Sequence, residues 1–509
     1  MTSTYTFAYT INCFQPTNYF RQLTINRQIK TLTKINMETS TATAQSTPYS
    51  KRWAALFLLC TAEFLVIMDT SIIGVALPAI KEDLGYSQTG LQWIFNAYVI
   101  LFGGFLLLGG RLSDLFGARK IFMWGFVILT AASLLAGMAW SESALNTGRA
   151  LQGLGSAFIA PAALTLVISK FTDPKELNKA LGFWGASAAA GGSAGVFLGG
   201  AITEWLSWHW IFLINIPIGI IVLLRSRSLL FTGDTRKGKV DMAGAILATA
   251  ALILMVYAIV ASETAGWDSV QTIGLLIVSL ALLFAFYLTQ KHKSEPLVSM
   301  SIFKVQNLSA GNIVMGLLAA AWIPLWFFLN LYLQQTLHYS AFNSGLALLP
   351  MTLAIMFLMV GVTGKLVAKF GFKSNMIVGL LVLAASLFLF SIAPTNGNFV
   401  THVLPASLLG AIGMSLTYIP GTIASMSGAK PEETGLASGL VNTSYQVGSA
   451  LGLAIIVTIS AAKTNALKMA GEIEITALNS GFQTAFFSAG VVCIVATLIA
   501  MAYIRTPKQ

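Results

Sequence analysis

From about Trp53 to the carboxyl end the chain alternates between long apolar runs and short polar connectors. Fourteen runs stand out, near residues 53–79, 91–110, 121–140, 145–169, 180–201, 209–225, 242–261, 271–289, 308–333, 344–364, 375–393, 401–423, 434–460 and 481–504. A helix that crosses a bilayer needs about 20 apolar residues, and lipid offers the backbone no hydrogen-bond partner, so runs of this length predict helices rather than strands. The expected fold class is an all-α membrane protein. Residues 1–50 are polar, rich in Thr and Ser in their second half and without a sustained helical period, which predicts a disordered cytoplasmic tail. Met37, just ahead of Glu38-Thr39-Ser40, is an alternative translation start.

Composition agrees with the pattern: 56% of residues are hydrophobic and 10% charged, against about 25% charged in ordinary soluble domains. The net charge of +11 would suggest nucleic acid in a soluble chain, but its distribution speaks for topology. With the amino terminus inside, the inside segments hold all but four of the 30 Lys and Arg, the exceptions being Lys81, Lys463, Lys468 and the intraspan Arg149. Cytoplasmic loops collect such residues, so both termini are expected inside and no nucleic acid is expected as partner. Of three cysteines, Cys60 and Cys493 lie in apolar runs, which gives no disulfide, metal or cofactor framework. Gly233 to Lys239 matches a phosphate-loop pattern, but Val240 stands where a hydroxyl must reach magnesium, and no clustered nucleophile or acid/base set suggests an enzyme.

An internal repeat organises the runs. Gly110-Arg111-Leu112-Ser113-Asp114-Leu115-Phe116-Gly117 after run 2 and Gly364-Lys365-Leu366-Val367-Ala368-Lys369-Phe370-Gly371 after run 10 share G-x-L-x-x-x-F-G, 254 residues apart. Repeated bundles are a common construction of secondary transporters, with substrate held between the halves. A shift of eight runs predicts two six-helix bundles, residues 51–227 and 307–504, separated by a two-span insert with loops at 228–306 and followed by a short tail at 505–509.

The first apolar run carries two carboxylates in its interior, Glu63 and Asp69, the latter in Met68-Asp69-Thr70-Ser71-Ile72-Ile73-Gly74-Val75-Ala76-Leu77-Pro78. A charge at mid-membrane costs about 2.5 to 3.5 kcal/mol on insertion scales, which marks a functional site. This stretch resembles the first-span signature of the major facilitator superfamily, and within it of the fourteen-span drug:proton antiporters of the EmrB/QacA type, with Gly74 where the family usually has Asn. Four further segments carry the resemblance. Gly110 to Lys120 is similar to the loop motif for which the family implies a conformational latch, here Gly110, Asp114, Gly117 and Arg119, although Leu115 and Ala118 replace basic positions. Leu145 to Ala157 resembles the motif whose arginine, here Arg149, assists proton transfer. Gly191, Gly195, Gly199 and Gly200 resemble the antiporter motif with Val196 in place of its proline. Trp210 to Gly219 matches a further landmark, with His209 where arginine is common; Tyr445 likewise replaces an arginine.

The resemblance implies a proton-coupled exporter of amphipathic drugs in the bacterial inner membrane, acting as a monomer, with or without a periplasmic adaptor protein. A transporter of one metabolite on the same fold is the alternative. Asp69 is the expected proton site. Arg149 is expected either to pair with it or to snorkel to the surface. Glu63, about 9 Å away along the same helix, is the second acid, for a cationic substrate or a second proton, unless it only bonds between helices. The glycines of run 5 act as a packing surface or a hinge. Trp93, Asn96, Tyr98, Trp326, Asn330, Asn442 and Gln446 are candidate cavity residues, although such aromatics also populate membrane interfaces. Runs 9 to 14 hold no acid in their cores, so substrates are expected to be monocationic, neutral or zwitterionic. Dye-efflux assays should find a dicationic dye moved poorly beside a monocationic analogue; robust proton-driven export of the dication would refute this.

Overall fold

Because lipid leaves a backbone only its own hydrogen bonds, each apolar run becomes a helix. The structure is a computed structural model that describes residues 49–171, 173–231, 241–429 and 434–506. Among these residues, fourteen helices are long and apolar enough to cross a membrane. Numbered α1 to α14, they are Lys51–Leu84, Gln92–Phe116, Ala118–Gly137, Glu142–Lys170, Lys175–Trp205, Trp210–Leu229, Met242–Ser262, Val270–His292, Leu308–Thr336, Ala341–Gly361, Thr363–Phe390, Phe399–Met426, Gly435–Met469 and Glu474–Tyr503. The amino-terminal tail, Met37 and the phosphate-loop match lie outside the described residues.

Polar residues at the ends of the runs start several helices. Ser141, Asp173, Asp241, Ser269 and Ser340 each accept a hydrogen bond from a backbone amide in the first turn of α4, α5, α7, α8 and α10, satisfying donors that a helix start leaves open. Two elements differ from the expected runs. α1 is discontinuous: regular helix ends at Ser71, a tight turn covers Gly74–Ala76, and helix resumes at Leu77 with Pro78 in its first turn. The connector expected at 365–374 is helical as well, since α11 starts at Thr363 and only kinks at Gly371. The repeat appears in the backbone here, because Gly117 and Gly371 have φ of 91° and 75°, a left-handed region that favours glycine.

The first six helices interlock through α2, α3 and α4, with α6 against α3; the last six interlock through α9, α11, α12, α13 and α14. The two sets meet along α5 with α10 and along α2 with α13. α7 lies against α2 and α13, and α8 touches mainly α7, so α8 is the most lipid-facing helix. α5 and α10 meet closely only toward one end. A Cβ added to Gly200 would stand 2.7 Å from the Ala341 carbonyl oxygen and one on Gly345 2.8 Å from that of Val196, whereas one on Gly182, Gly185 or Gly361 would meet nothing within 4 Å.

Close backbone approach also binds α4 to α2. A Cβ on Gly153 would sit 2.1 Å from the Tyr98 carbonyl oxygen, an atom that cannot swing aside. Gly153→Val should therefore destabilise the protein by about 1–3 kcal/mol or more, while Gly274→Ala on α8, where a Cβ meets nothing within 4 Å, should leave stability unchanged. Thermal unfolding of the two variants in detergent checks the contrast.

Candidate functional site

Asp69 lies on the last turn of α1 before its break and is fully buried. Arg149 of α4, also fully buried, donates from Nη1 to Asp69 Oδ2 at 2.5 Å. Gln152, one turn further along α4, donates from Nε2 to Asp69 Oδ1 at 2.9 Å, and Asn215 of α6 donates to the same oxygen at 2.8 Å. Both amides also reach Ser133 Oγ of α3, at 2.9 Å and 3.3 Å. The carboxylate thus accepts from three side chains on two helices, and a third helix supplies the hydroxyl beneath them.

Arg149 is held by more than its charge partner. Its Nε donates to the Ile94 carbonyl at 3.0 Å, its Nη1 also reaches Gln152 Oε1 at 2.9 Å, and its Cζ lies 4.5 Å from the centre of the Tyr98 ring. Tyr98 is in turn fixed by a 2.8 Å hydrogen bond to Ser156. Such contacts compensate the guanidinium for lost water, as a buried cation requires. Among the described residues, Arg149 Nη2 and Asn215 Oδ1 are buried without a hydrogen-bond partner. Of the two expectations for Arg149, pairing is the one the geometry realises.

Glu63, two turns back along α1, is only partly buried. Asp69 by contrast is enclosed among α3, α4 and α6. At the break, α1 meets α9. Gln334 Nε2 donates to the Val75 carbonyl at 2.9 Å, and a Cβ on Gly74 would lie 2.6 Å from Asn330 Nδ2. Asn330 fills the space that a larger residue at position 74 would need. Gln88 to Gln335 at 3.2 Å and the Phe342 amide to Glu204 at 3.3 Å link the two sets at the same end.

The α5 glycines face α1. A Cβ on Gly191, Gly195 or Gly199 would come within 2.5 to 2.9 Å of Phe64 O, Ser71 Cβ or Ile72 O and Val75 Cγ2, and Gly200 abuts α10. They pack α5 onto the end of the first part of α1 and onto the break itself.

Four of the cavity candidates are placed elsewhere. Tyr98 is buried beneath Arg149, because its ring covers the guanidinium. Asn96 is fully buried with its amide near Gln92 at 3.5 Å. Trp93 points toward α7, with ring centres of Trp93 and Tyr257 6.4 Å apart. Asn330 belongs to the contact with Gly74 and donates to the Trp326 carbonyl at 2.8 Å. Trp326 is half-buried against Trp322, Gln446 packs over Gly103 where α13 meets α2, and Asn442 is exposed.

At the expected latch, Gly117 supplies the turn between α2 and α3, and Arg119 donates to the Leu230 carbonyl at the end of α6, at 3.1 Å. Gly110 approaches only Pro161, and Asp114 has no hydrogen bond or ion pair among the described residues. The ion pair here joins Arg111 to Glu295 of the α8–α9 connector at 2.5 Å. That connector is anchored by Asp241, which accepts from Lys293, from Gln290 at 2.6 Å and from the Gly244 amide at 2.8 Å. Burial by itself raises the Asp241 carboxyl, but the bonds from Lys293, Gln290 and Gly244, with the Lys293 charge, outweigh it and hold the group below the usual carboxylate range.

Gln152, Asn215, Ser133, Arg111 and Glu295 were not singled out from sequence. Gln152, Asn215 and Arg111 stand inside segments that carry the resemblance, which was the available signal; nothing in the chain near Ser133 or Glu295 marks them.

The chain is similar to known proteins in sequence and in fold. A family model described as Major Facilitator Superfamily matches residues 59–453. The chain is 36% identical over 424 residues to the puromycin resistance protein pur8 of Streptomyces alboniger, covering 82% of this chain and 84% of that one. It is 35% identical to the cephamycin export protein CmcT of Amycolatopsis lactamdurans, over 83% and 88% of the two chains. Among solved structures, the POT family transporter PepTSo superposes with a TM-score of 0.64 at 18% identity, over 88% of this chain and 98% of that one.

Breaking a buried ion pair from one side leaves an uncompensated charge, whereas apolar replacement of both partners does not. Arg149→Met should cost about 3–5 kcal/mol and Asp69→Leu with Arg149→Met together much less, read as thermal unfolding in detergent.

Proposed function

Since the chain belongs to the Major Facilitator Superfamily and its relatives include antibiotic resistance and export proteins, we propose that it exports amphipathic drugs or toxic organic compounds in exchange for protons, with Asp69 as the proton carrier. The observation that carries the reading is the fully buried Asp69–Arg149 pair at the break of α1.

The chemistry follows from what holds each partner. A proton arriving at Asp69 cancels the charge that ties α1 to α4. Arg149 keeps the Ile94 carbonyl, Gln152 and the Tyr98 ring, so the cation stays in place and α1 is the element released. The freed segment leads directly into the turn that contacts Gln334 and Asn330. Neutralisation of one carboxylate therefore loosens the contact between the two sets of helices at that end. Glu63, partly exposed two turns away, offers a protonatable group along the route and a negative charge for a monocationic substrate.

This reading takes the molecule as two six-helix bundles, 51–227 and 307–504, around an insert, with both termini cytoplasmic and the chain acting as a monomer in the bacterial inner membrane. On that orientation, convergence of α5 with α10 at one end and their separation toward the basic loops is a conformation open to the cytoplasm. Gly117 and Arg119 set the α2–α3 turn, while Asp114 is free to take a partner when that side closes.

In cells lacking their own pumps, the protein should lower accumulation of a fluorescent monocationic dye several-fold, and an uncoupler should abolish the difference. Asp69→Asn, whose amide oxygen can still accept from Arg149, should reach the membrane, checked by immunoblot, yet give no uncoupler-sensitive efflux. An active Asp69→Asn protein would move the proton site to Glu63. Unchanged accumulation of a broad drug panel with altered uptake of one metabolite would replace drug export by metabolite transport.

A further inference from the structure

We propose that the cavity between the start of α9 and the end of α14 binds the headgroup of an anionic glycerophospholipid. The cavity measures about 690 Å³ and lies where the α8–α9 connector meets the carboxyl-terminal end of α14. Two exposed cations line it, Lys304 from the connector and Arg505 from beyond α14. Among the described residues neither forms an ion pair and no acidic side chain lines the cavity. These charges play no part in the Asp69 site or the Arg111–Glu295 contact.

The backbone adds to the positive field. Asn307, the residue that precedes α9, makes no side-chain cap for that helix; its φ is 64°. Its amide is committed elsewhere, donating to Ser427 Oγ at 3.0 Å and to the Arg505 carbonyl at 2.7 Å while accepting from the Arg505 amide at 2.8 Å. This clamp fixes Arg505 beside the uncapped first turn of α9, which also lines the cavity. An uncapped helix start attracts anions, and here it acts together with two side-chain cations.

Below the charged rim the walls are apolar. Ile313, Ile499 and Tyr503 line the cavity, and Ile313 and Tyr503 are more than half exposed. They continue into the outward face of α14, where Val491, Val495, Leu498 and Met501 are exposed as well. In a protein that spans a membrane such a face contacts acyl chains, and a tyrosine at its edge suits the headgroup level. Cations above and an open apolar wall below match a lipid with a charged head; inorganic phosphate would use only the upper half. Paired cations near the membrane surface are worth about tenfold or more in preference for an anionic over a zwitterionic head.

Native mass spectrometry of the purified full-length protein, titrated with phosphatidylglycerol or phosphatidylethanolamine, tests the site. Wild type should retain phosphatidylglycerol at about tenfold lower lipid concentration, and Lys304→Gln with Arg505→Gln should reduce its retention to that of phosphatidylethanolamine. The same double variant should lose the rise in unfolding temperature that phosphatidylglycerol gives wild type, while its unfolding temperature without added lipid reports intact folding. Equal retention of the two lipids by wild type, undiminished retention by a folded double variant, or an equal thermal shift from inorganic phosphate would each overturn the proposal. If the double variant does not fold, Lys304→Gln alone must lower retention, and failure to do so counts against the site equally.

Discussion

A carboxylate in the interior of a membrane protein must be compensated locally, and the ordering of the first six helices follows from that requirement. Asp69 takes hydrogen bonds from Arg149 and Gln152 of α4 and from Asn215 of α6, with Ser133 of α3 closing the network. Each helix is thereby held at one rotation about its axis, because a turn of even one residue, about 100°, would remove its polar group. Apolar packing alone imposes no such rotation in lipid, where one apolar face is nearly as acceptable as another.

The break in α1 gains its meaning from its position. It begins within one turn of Asp69, and the turn itself touches α9 through Val75 and Gly74. Glycines of α5 pack against the helix before the break and against the break itself at distances that no side chain would permit. One segment thus receives the charge chemistry of the first set of helices and forms part of the contact with the second. At the other end of the molecule the polar ties are of a different kind. The pair α7–α8 is followed by a connector braced by Asp241 and tied to α2 through Arg111 and Glu295. This pair is therefore bound to α2 through its connector as well as lying beside it.

Much of this architecture was legible in the chain. Run length and apolarity located fourteen helices, and the glycine repeat recurred as left-handed Gly117 and Gly371. Asp69 and Arg149 stood out because an ionisable group in an apolar run is expensive. The cavity candidates fared differently: Tyr98 went to the guanidinium, Trp93 to α7 and Asn330 to the α1 turn. All three are amphipathic side chains on helices that are apolar around most of their circumference. In a soluble helix the polar face would have disclosed which way they point, and here no such contrast exists.

What the sequence by itself determined was therefore the set of elements and the one carboxylate that needed a partner, because bilayer thickness and the cost of burying charge act on each segment separately. Tertiary structure decided which groups meet. Asp69, Ser133, Arg149, Gln152 and Asn215 converge from four helices. Arg111 takes Glu295 while Asp114 has no partner among the described residues, and Asn307 leaves α9 uncapped in order to hold Arg505. These outcomes depend on helix rotation, crossing and the path of connectors. Those are properties of pairs of segments, and a pattern of apolar residues within one segment carries almost no trace of them.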